Sequence, residues 1–494
     1  MASSSRAGRS AGRSAGTAPE SAGCFIDGAW VATAATFDVT DPATGDVVGA
    51  AADAGPEVAS AAVAAAHRAF GGWADRTAQD RAEVIRRISA ELLAALDHIA
   101  DVIVSEQGKP RAQALFEVRY ATQWLDWFAE EGRRSYGEVI PTHIPGKRLV
   151  VQQKPLGVAV AITPWNFPVA MIARKLAPAM AAGCTIVVKP AEQTPLSAVA
   201  LFEAIDRAGV PAGVCNLVTS SDPEPLAAPL LEDPRVRKIT FTGSTDVGKL
   251  LVRASATNLA RVSLELGGQA PFIVFDDADL DAAVEGVLMS KFQVNGQSCL
   301  CANRIFVQEA VADDFTGRLS RAASKLRVGP GDEDGVDVGP LIDAAGFDKV
   351  SAHVMDAVDR GATVETGGGR VGSHPGGYFF KPTVLSGCTD EMLCAREETF
   401  GPVAPVLTFR TEAEVVDRAN DTRYGLAAYV YTRDLGRAMR TSEKLEFGMV
   451  GVNDPMPASP TAPFGGFKES GLGREGGHDG LEAFLEKKLV SFVS

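Results

Sequence analysis

The chain lacks a cysteine framework. Its seven cysteines stand at 24, 184, 215, 299, 301, 388 and 394, without the spacing of a disulfide scaffold or a zinc ribbon, so a stapled secreted fold is excluded and a reducing compartment is expected. Six histidines form no ligand cluster, and no metal is expected. No apolar run reaches the ~18 residues that would span a bilayer. Acids outnumber bases, 62 to 48, for a net charge of −14, which disfavours nucleic acid or an anionic membrane as partner. Residues 1–23 hold no Leu, Ile, Val or Phe, and three arginines precede the first acid, Glu20. Such a segment has nothing to bury and is expected to be a disordered tail; a transit peptide needs the apolar face it lacks. These absences together predict a cytoplasmic enzyme of ordinary composition.

What is present is enough for large cores. With 494 residues, 46% hydrophobic and 22% charged, the chain should divide into two or three domains. Residues 80–106 carry Ile85, Ile88, Leu92, Leu96, Ile99 and Ile103 at three- and four-residue intervals, the pattern of one face of one long helix. Pro110 suits the first turn of the next, which runs through Trp124 and Trp127. From Gly157 the pattern changes to short apolar runs, at 158–162, 185–188, 214–218, 238–241 and 262–266, separated by helical segments. Strands buried on both faces and alternating with helices predict an α/β fold with a doubly wound parallel sheet, whose ligands bind at the carboxyl ends of the strands. Beyond Pro271 a second α/β segment begins, with a helix over 279–293 and strands at 304–308, 406–409 and 449–452. The glycine-rich stretches 329–339 and 366–377 lack the carboxylate spacing of a calcium loop and read as solvated loops. Strands at 148–153 and 488–493 fall outside both patterns.

The stretch with chemistry in it is Asn295-Gly296-Gln297-Ser298-Cys299-Leu300-Cys301. A reactive thiolate needs a tight turn to present it, amide donors beside it and distant partners to complete the reaction. Glu265, set between two leucines and followed by Gly267 and Gly268, is a carboxylate that burial could raise towards a useful base. Asn166 sits in a frame of prolines and aromatics, Thr163-Pro164-Trp165-Asn166-Phe167-Pro168, and Glu398 lies in Glu397-Glu398-Thr399-Phe400-Gly401-Pro402. Two strand ends are followed by Lys189-Pro190-Ala191-Glu192 and by Thr242-Gly243-Ser244-Thr245-Asp246-Val247-Gly248, the latter opening a helix whose first amides suit a phosphate. The dinucleotide fingerprint Gly-x-Gly-x-x-Gly is absent, and a glycine pair at such a turn is by itself only a turn.

At these residues, in this order, the chain resembles the aldehyde dehydrogenase superfamily, from about Phe25 to the C-terminus. The resemblance implies an NAD(P)-dependent oxidation in which Cys299 attacks the aldehyde carbon, Asn166 and the Cys299 N–H receive the oxyanion, and Glu265 activates the water that hydrolyses the thioester. Lys175 matches a lysine kept near the site; a solvated helix lysine is the plainer alternative. The cofactor falls to Thr163, Pro164, Trp165, Lys189, Glu192, Gly243, Ser244, Gly248, Leu266, Glu398 and Phe400. Glu192 should accept from both ribose hydroxyls and repel a 2′-phosphate, so NAD is expected over NADP. The implied domains are a dinucleotide-binding domain at 24–138 and 157–268, a catalytic domain at 269–470, and an oligomerisation arm at 139–156 and 478–494 that makes a homodimer or homotetramer. Relatives commonly have Asn where Val294 stands here, and the turn is expected to survive the change.

Within that resemblance the flanks of Arg174 and Cys301 are similar to those of succinate-semialdehyde dehydrogenases. Phe167, Met171 and Arg174 follow Asn166 at helical spacing, which puts Arg174 on the donor's side of a helix as a fork for a carboxylate at the far end of a short aldehyde; an arginine paired with an acid is the alternative. Those relatives use a second arginine where Gln293 stands, so the anion is expected to rest on Arg174 with help from Gln293 and Ser459. Glutarate semialdehyde is the neighbouring candidate, and a catalytically silent family member is the reading from another class. Cys301 is either the partner of Cys299 in a strained, reversible disulfide or a small core residue.

Overall fold

The computed structural model describes residues 23–493; the tail expected at 1–23 lies, but for Gly23, outside the described residues. Five parallel strands form the centre of the first sheet, in the order Arg261–Glu265, Val236–Thr242, Val158–Ile162, Thr185–Lys189, Cys215–Leu217. Each is a short run rich in β-branched and apolar residues, and apart from Ile162, Arg237 and the start of Arg261–Glu265 they are buried, as a sheet covered on two faces requires. Helices α1 (Pro56–Ala74) and α7 (Thr245–Ser255) pack on one face, α5 (Ala170–Ala182) and α6 (Pro195–Arg207) on the other, which gives the doubly wound arrangement. The sheet's edges differ from the all-parallel expectation. Gly471–Leu472 returns from the far end of the chain to pair antiparallel with Arg261–Glu265, and Cys24–Ile26 with its hairpin partner Ala29–Val31 closes the other side. Short antiparallel pieces need no helical crossover, so they leave no period in the sequence to read.

A second sheet of seven strands runs Thr363–Thr366, Thr383–Ser386, Val403–Phe409, Ala302–Gln308, Ala270–Val274, Ala427–Tyr431, Met449–Val452, parallel except for its first strand. The first sheet ends its strands at Ile162, Lys189, Thr242 and Glu265, and the turn carrying Cys299 stands immediately before Ala302–Gln308. The Cys299 turn of one sheet therefore meets the carboxyl ends of the other.

The long helix expected over 80–106 is two helices, α2 (Ala78–Ala94) and α3 (Leu96–Gln107). The break is at Ala95, with φ −99° and ψ 14°. Because the apolar period carries through Leu92, Leu96 and Ile99, the sequence shows one stripe; the kink lets α3 pack on α4 (Arg111–Glu131) and α6 while α2 packs across α4 and α5. Thr77 starts α2 with a reciprocal capping box, its side chain accepting from Asp80 N while the Asp80 carboxylate accepts from Thr77 N, an arrangement worth ~1 kcal/mol. All thirteen residues of α5 are buried, Arg174 and Lys175 among them. Two cations cannot be hidden this way without partners, and their partner defines one wall of the site.

Away from both sheets, Glu138–Ile140, Lys147–Pro155 and Leu485–Val493 form a three-stranded antiparallel sheet, with Leu489, Phe492 and Val139 exposed. Among the described residues no helix is long and apolar enough to cross a membrane.

Candidate active site

Helix α8 (Leu280–Phe292) ends at Gln293, and the chain then takes three consecutive left-handed residues, Val294 (φ 50°), Asn295 (φ 55°) and Gly296 (φ 72°). Glycine is required at the third: a Cβ there would stand 2.2 Å from the Gly401 carbonyl oxygen. Valine in this region is strained, at a cost of roughly 1–2 kcal/mol, and it stays because its backbone is bonded on both sides. Val294 N donates to Gln113 Oε1 at 2.8 Å, and Val294 O accepts from the backbone and side-chain nitrogens of Gln297 at 3.0 and 3.1 Å. Gln297 is held in turn, its Oε1 accepting from Ile342 N at 2.9 Å. The turn survives the Val294 replacement, and it presents Cys299 half-buried at the floor of a cleft. Burial pushes the thiol up to about 12, opposed by the nearby Arg174 charge and by the residue's own N–H. The Cys299 thiol therefore holds its proton at neutral pH.

Asn166 meets Cys299 from the other sheet, on the loop after Val158–Ile162. One N–H of its amide donates to Gln297 O at 2.9 Å and its Oδ1 has no partner; the second N–H of the amide is left for a ligand. Glu265 ends its strand 2% exposed, with no hydrogen bond to either carboxylate oxygen among the described residues. Burial, with the Glu475 charge beside it, pushes its carboxyl well above the usual range. Behind both lies the anion that α5 demands. Glu475 Oε1 accepts from Lys175 Nζ at 2.5 Å and Oε2 from Arg174 Nε at 2.9 Å; Lys175 Nζ also donates to Thr242 Oγ1 at 2.6 Å. Burial would raise Glu475, but Lys175 and Arg174 outweigh it and hold the carboxyl below its ordinary value.

The cleft above Cys299, about 390 Å³, runs along Trp165, Gly243, Ser244, Leu266, Glu398 and Phe400. It fits an elongated molecule with a phosphate near one end. Ser244 caps α7, its Oγ accepting from Val247 N at 3.3 Å, and with Gly243 it brings the start of that helix to the cleft wall. Gly248 lets α7 approach Leu266 closely, since a Cβ there would stand 2.6 Å from its Cδ2. At the other end Glu398, pushed up to about 7 by burial, accepts from Gly268 N at 2.9 Å through Oε1, which leaves Oε2 for a hydroxyl. Trp165 and Phe400 meet edge to face with centroids 5.5 Å apart, and Phe400 is held at φ 54°, an unusual conformation for a bulky residue and one that clusters at ligand sites. A helix start, an apolar slot and a carboxylate in line suit the phosphates, ring and ribose of a nicotinamide dinucleotide. Lys189 and Glu192 stand outside this cleft and pair with each other at 3.4 Å, and the buried Thr163 hydroxyl has no partner.

A comparison decides the family. The profile described as the aldehyde dehydrogenase family matches residues 30–490. The chain belongs to the aldehyde dehydrogenase family. Its activity class is NAD(P)-dependent oxidation of an aldehyde. The chain is 52% identical to a 3-sulfolactaldehyde dehydrogenase of Pseudomonas putida, over 94% of this chain and 96% of that one. It is 51% identical to a glutarate-semialdehyde dehydrogenase of Pseudomonas aeruginosa over the same shares. The crystal structure of a succinate-semialdehyde dehydrogenase from Burkholderia pseudomallei superposes with a TM-score of 0.93 at 50% identity, covering 96% of this chain and 98% of that one.

Several expectations for this aldehyde dehydrogenase site need correction. Arg174 is not an open fork. Its guanidinium lies between Trp124 and Phe464, with Cζ 4.6 and 3.8 Å from the ring centroids; Nε and Nη2 both stand 2.9 Å from Glu475 Oε2, and Nη1 reaches Met171 Sδ at 3.9 Å. A buried arginine needs its counter-ion before any ligand arrives, and Arg174 is not among the residues that line the cleft. Lys175 is not solvated but fully enclosed. Phe167 offers its ring to the Lys109 ammonium at 4.2 Å. Gln293 and Ser459 do not line the cleft, and Ser459 Oγ bonds to Thr461 Oγ1 at 2.9 Å. Cys301 is buried with its thiol donating to Lys291 O at 3.5 Å, the geometry of a core residue. Sequence reasoning missed Glu475, Lys349, which lines the cleft with Asp343, and the Lys109–Glu117 pair. For Glu117 a signal existed: it interrupts the apolar face formed by Ala114, Val118, Ala121 and Leu125.

Proposed function

We propose that this enzyme oxidises a short aldehyde with an anionic far end, succinate semialdehyde first and glutarate semialdehyde next, to the free acid. The observation that carries the reading is the meeting of Cys299, the free amide N–H of Asn166 and a dinucleotide-shaped cleft. In this reading the Cys299 thiol loses its proton to solvent water, its sulfur bonds to the aldehyde carbon, and the carbonyl oxygen becomes an oxyanion, received by Asn166 Nδ2 and the Cys299 N–H. Trp165, Ser244, Glu398 and Phe400 would hold NAD(P), which when bound would supply the acceptor for the hydride expelled as the oxyanion collapses to the thioester. Glu265, once ionised, takes a proton from the water that attacks the thioester, and the thiol leaves with the acid as product. Lys175, through Glu475, keeps two positive charges against one negative behind this oxyanion.

The substrate's anion is assigned to Nη1 of Arg174, the guanidinium nitrogen that stands apart from Glu475. The relatives named above, on 3-sulfolactaldehyde, glutarate semialdehyde and succinate semialdehyde, support an anionic class in general. NAD is preferred because Glu192 sits beside Lys189 and repels a 2′-phosphate. Residues 24–138 with 157–268 serve the cofactor and 269–470 the catalytic half, in a cytoplasmic enzyme. The three-stranded arm, with Val139, Leu489 and Phe492 exposed, presents edges suited to a second copy, giving a homodimer or homotetramer.

An aldehyde panel with both cofactors tests this. Arg174→Leu should raise KM for succinate semialdehyde by about tenfold beyond its effect on butanal, the low end for one charge-assisted hydrogen bond. Both substrates should also lose kcat, because Arg174 is among the charges holding the Cys299 thiol down. Equal KM changes on both would remove the anion from Arg174, and a kcat/KM favouring NADP would remove the Glu192 argument.

A further inference from the structure

The oxyanion turn is held from outside the cleft by an ion pair that reaches no solvent. Lys109 follows the glycine that ends α3, and Glu117 lies two turns into α4; both side chains are 0% exposed. Lys109 Nζ donates to Glu117 Oε2 at 2.5 Å and to the main-chain oxygen of Asn166 itself at 2.6 Å, and it faces the Phe167 ring. Glu117 Oε1 accepts from Val169 N at 2.9 Å and Ala170 N at 3.2 Å, the amides that open α5. Segment 166–170 is thus bonded at its first residue by the cation and at its last two by the anion. One turn earlier on α4, Gln113 Oε1 receives Val294 N, the strained residue of the nucleophile turn. Positions 113 and 117 share a helix face. A single rigid helix therefore touches both the donor loop and the nucleophile loop, which otherwise belong to different sheets.

We propose that the Lys109–Glu117 pair, with Gln113 on the same face of α4, is the positioning device that sets Asn166 against Cys299. None of the three meets substrate or cofactor in this arrangement. Their effect passes through Asn166 and Val294, and for the ion pair it rests on the reading of Asn166 as oxyanion donor. Burial pushes Lys109 down and the Glu117 charge opposes this, so removing Glu117 alone would strand a cation and could unfold the chain for reasons unrelated to catalysis.

The test is the charge-neutral double variant Lys109→Met/Glu117→Gln, which keeps an acceptor for the α5 amides and releases the Asn166 carbonyl. Thermal midpoint, NAD affinity by fluorescence quenching, the rate of Cys299 alkylation by iodoacetamide and the pre-steady-state burst of NADH are measured on the full-length enzyme. The expected result is a midpoint, NAD affinity and alkylation rate near wild type, with the burst slowed at least about tenfold, part of the 10²–10³ that a lost oxyanion donor costs. Asn166→Ala is then made in both backgrounds. If the pair acts through Asn166, this change costs much less in the double variant than in the wild type. A wild-type burst in the double variant, or an equal cost in the two backgrounds, overturns the proposal. An unchanged burst in Asn166→Ala made in the wild type overturns the donor reading itself, and is a separate outcome.

Discussion

Glu475 and Glu265 are hidden almost equally, 5% and 2% exposed, yet the surroundings drive their protons in opposite directions. The Glu475 wall is complete: its one carboxylate serves two cations, and one of these also reaches Thr242. The floor beside Cys299 is left incomplete, with Glu265 and Asn166 Oδ1 unpaired. Depth of burial does not decide ionisation here; the supply of partners does. The wall is built to stay charged and the floor to stay neutral until a ligand changes it, which suits the proton-releasing roles proposed for Cys299 and Glu265.

The strongest way to break this contrast is to remove the floor's titratable carboxyl. Glu265→Gln should leave the NADH burst and lower steady turnover by on the order of 10²–10⁴, the usual contribution of a general base. Turnover at the wild-type rate would end its assignment. Glu475→Gln attacks the wall instead. Stability should fall by ~3–5 kcal/mol as two buried cations lose their anion. Because the Glu475 charge is one cause of the raised Glu265 carboxyl, that carboxyl should also drop. The sign follows: activity that rises with pH as Glu265 ionises should rise at lower pH in the variant, and a limb that stays put or moves up would show the two carboxylates to be independent. The smallest effect lies across the cleft. Glu398, raised to about 7, is neutral below that pH and ionised above it, and only the ionised form is a pure acceptor for ribose hydroxyls. NAD affinity measured by titration should improve as pH rises through 7, by roughly fivefold for ~1 kcal/mol of added hydrogen-bond strength. Glu398→Gln should flatten the curve; an identical slope in the variant would assign the titration elsewhere.

Much of the floor was legible in the sequence because each of its residues is announced locally. Cys299 follows a glycine turn, Glu265 ends an apolar run before two glycines, and Glu398 precedes Phe400-Gly401-Pro402. The five central strands were legible for the same reason, each being a short, continuous apolar run. The wall was not. Arg174 and Glu475 are separated by 301 positions, and nothing near Glu475 distinguishes it from a surface acid. For Lys175 the solvated alternative stayed open in the sequence because its burial is a property of α5 as packed between α4 and the sheet, not of its neighbours in the chain. The kink at Ala95 was invisible because it leaves the apolar stripe in register, and the antiparallel pairing of Gly471–Leu472 because two residues carry no periodicity.

That last pairing has a consequence for the order in which the enzyme comes into being. The strand Arg261–Glu265 receives its outer neighbour only from Gly471–Leu472, and three residues later the chain delivers Glu475, the counter-ion of α5. A nascent chain emerging at roughly 5–20 residues per second must therefore wait on the order of ten seconds or more after Glu265 is made before its sheet edge is covered and Arg174 and Lys175 are neutralised. Until then the half that is synthesised first carries an open edge and two cations that cannot be buried. Premature termination anywhere before residue 471 should thus yield a chain that fails in its first sheet as well as its second, and ribosome-bound intermediates should depend on a chaperone to shield that edge.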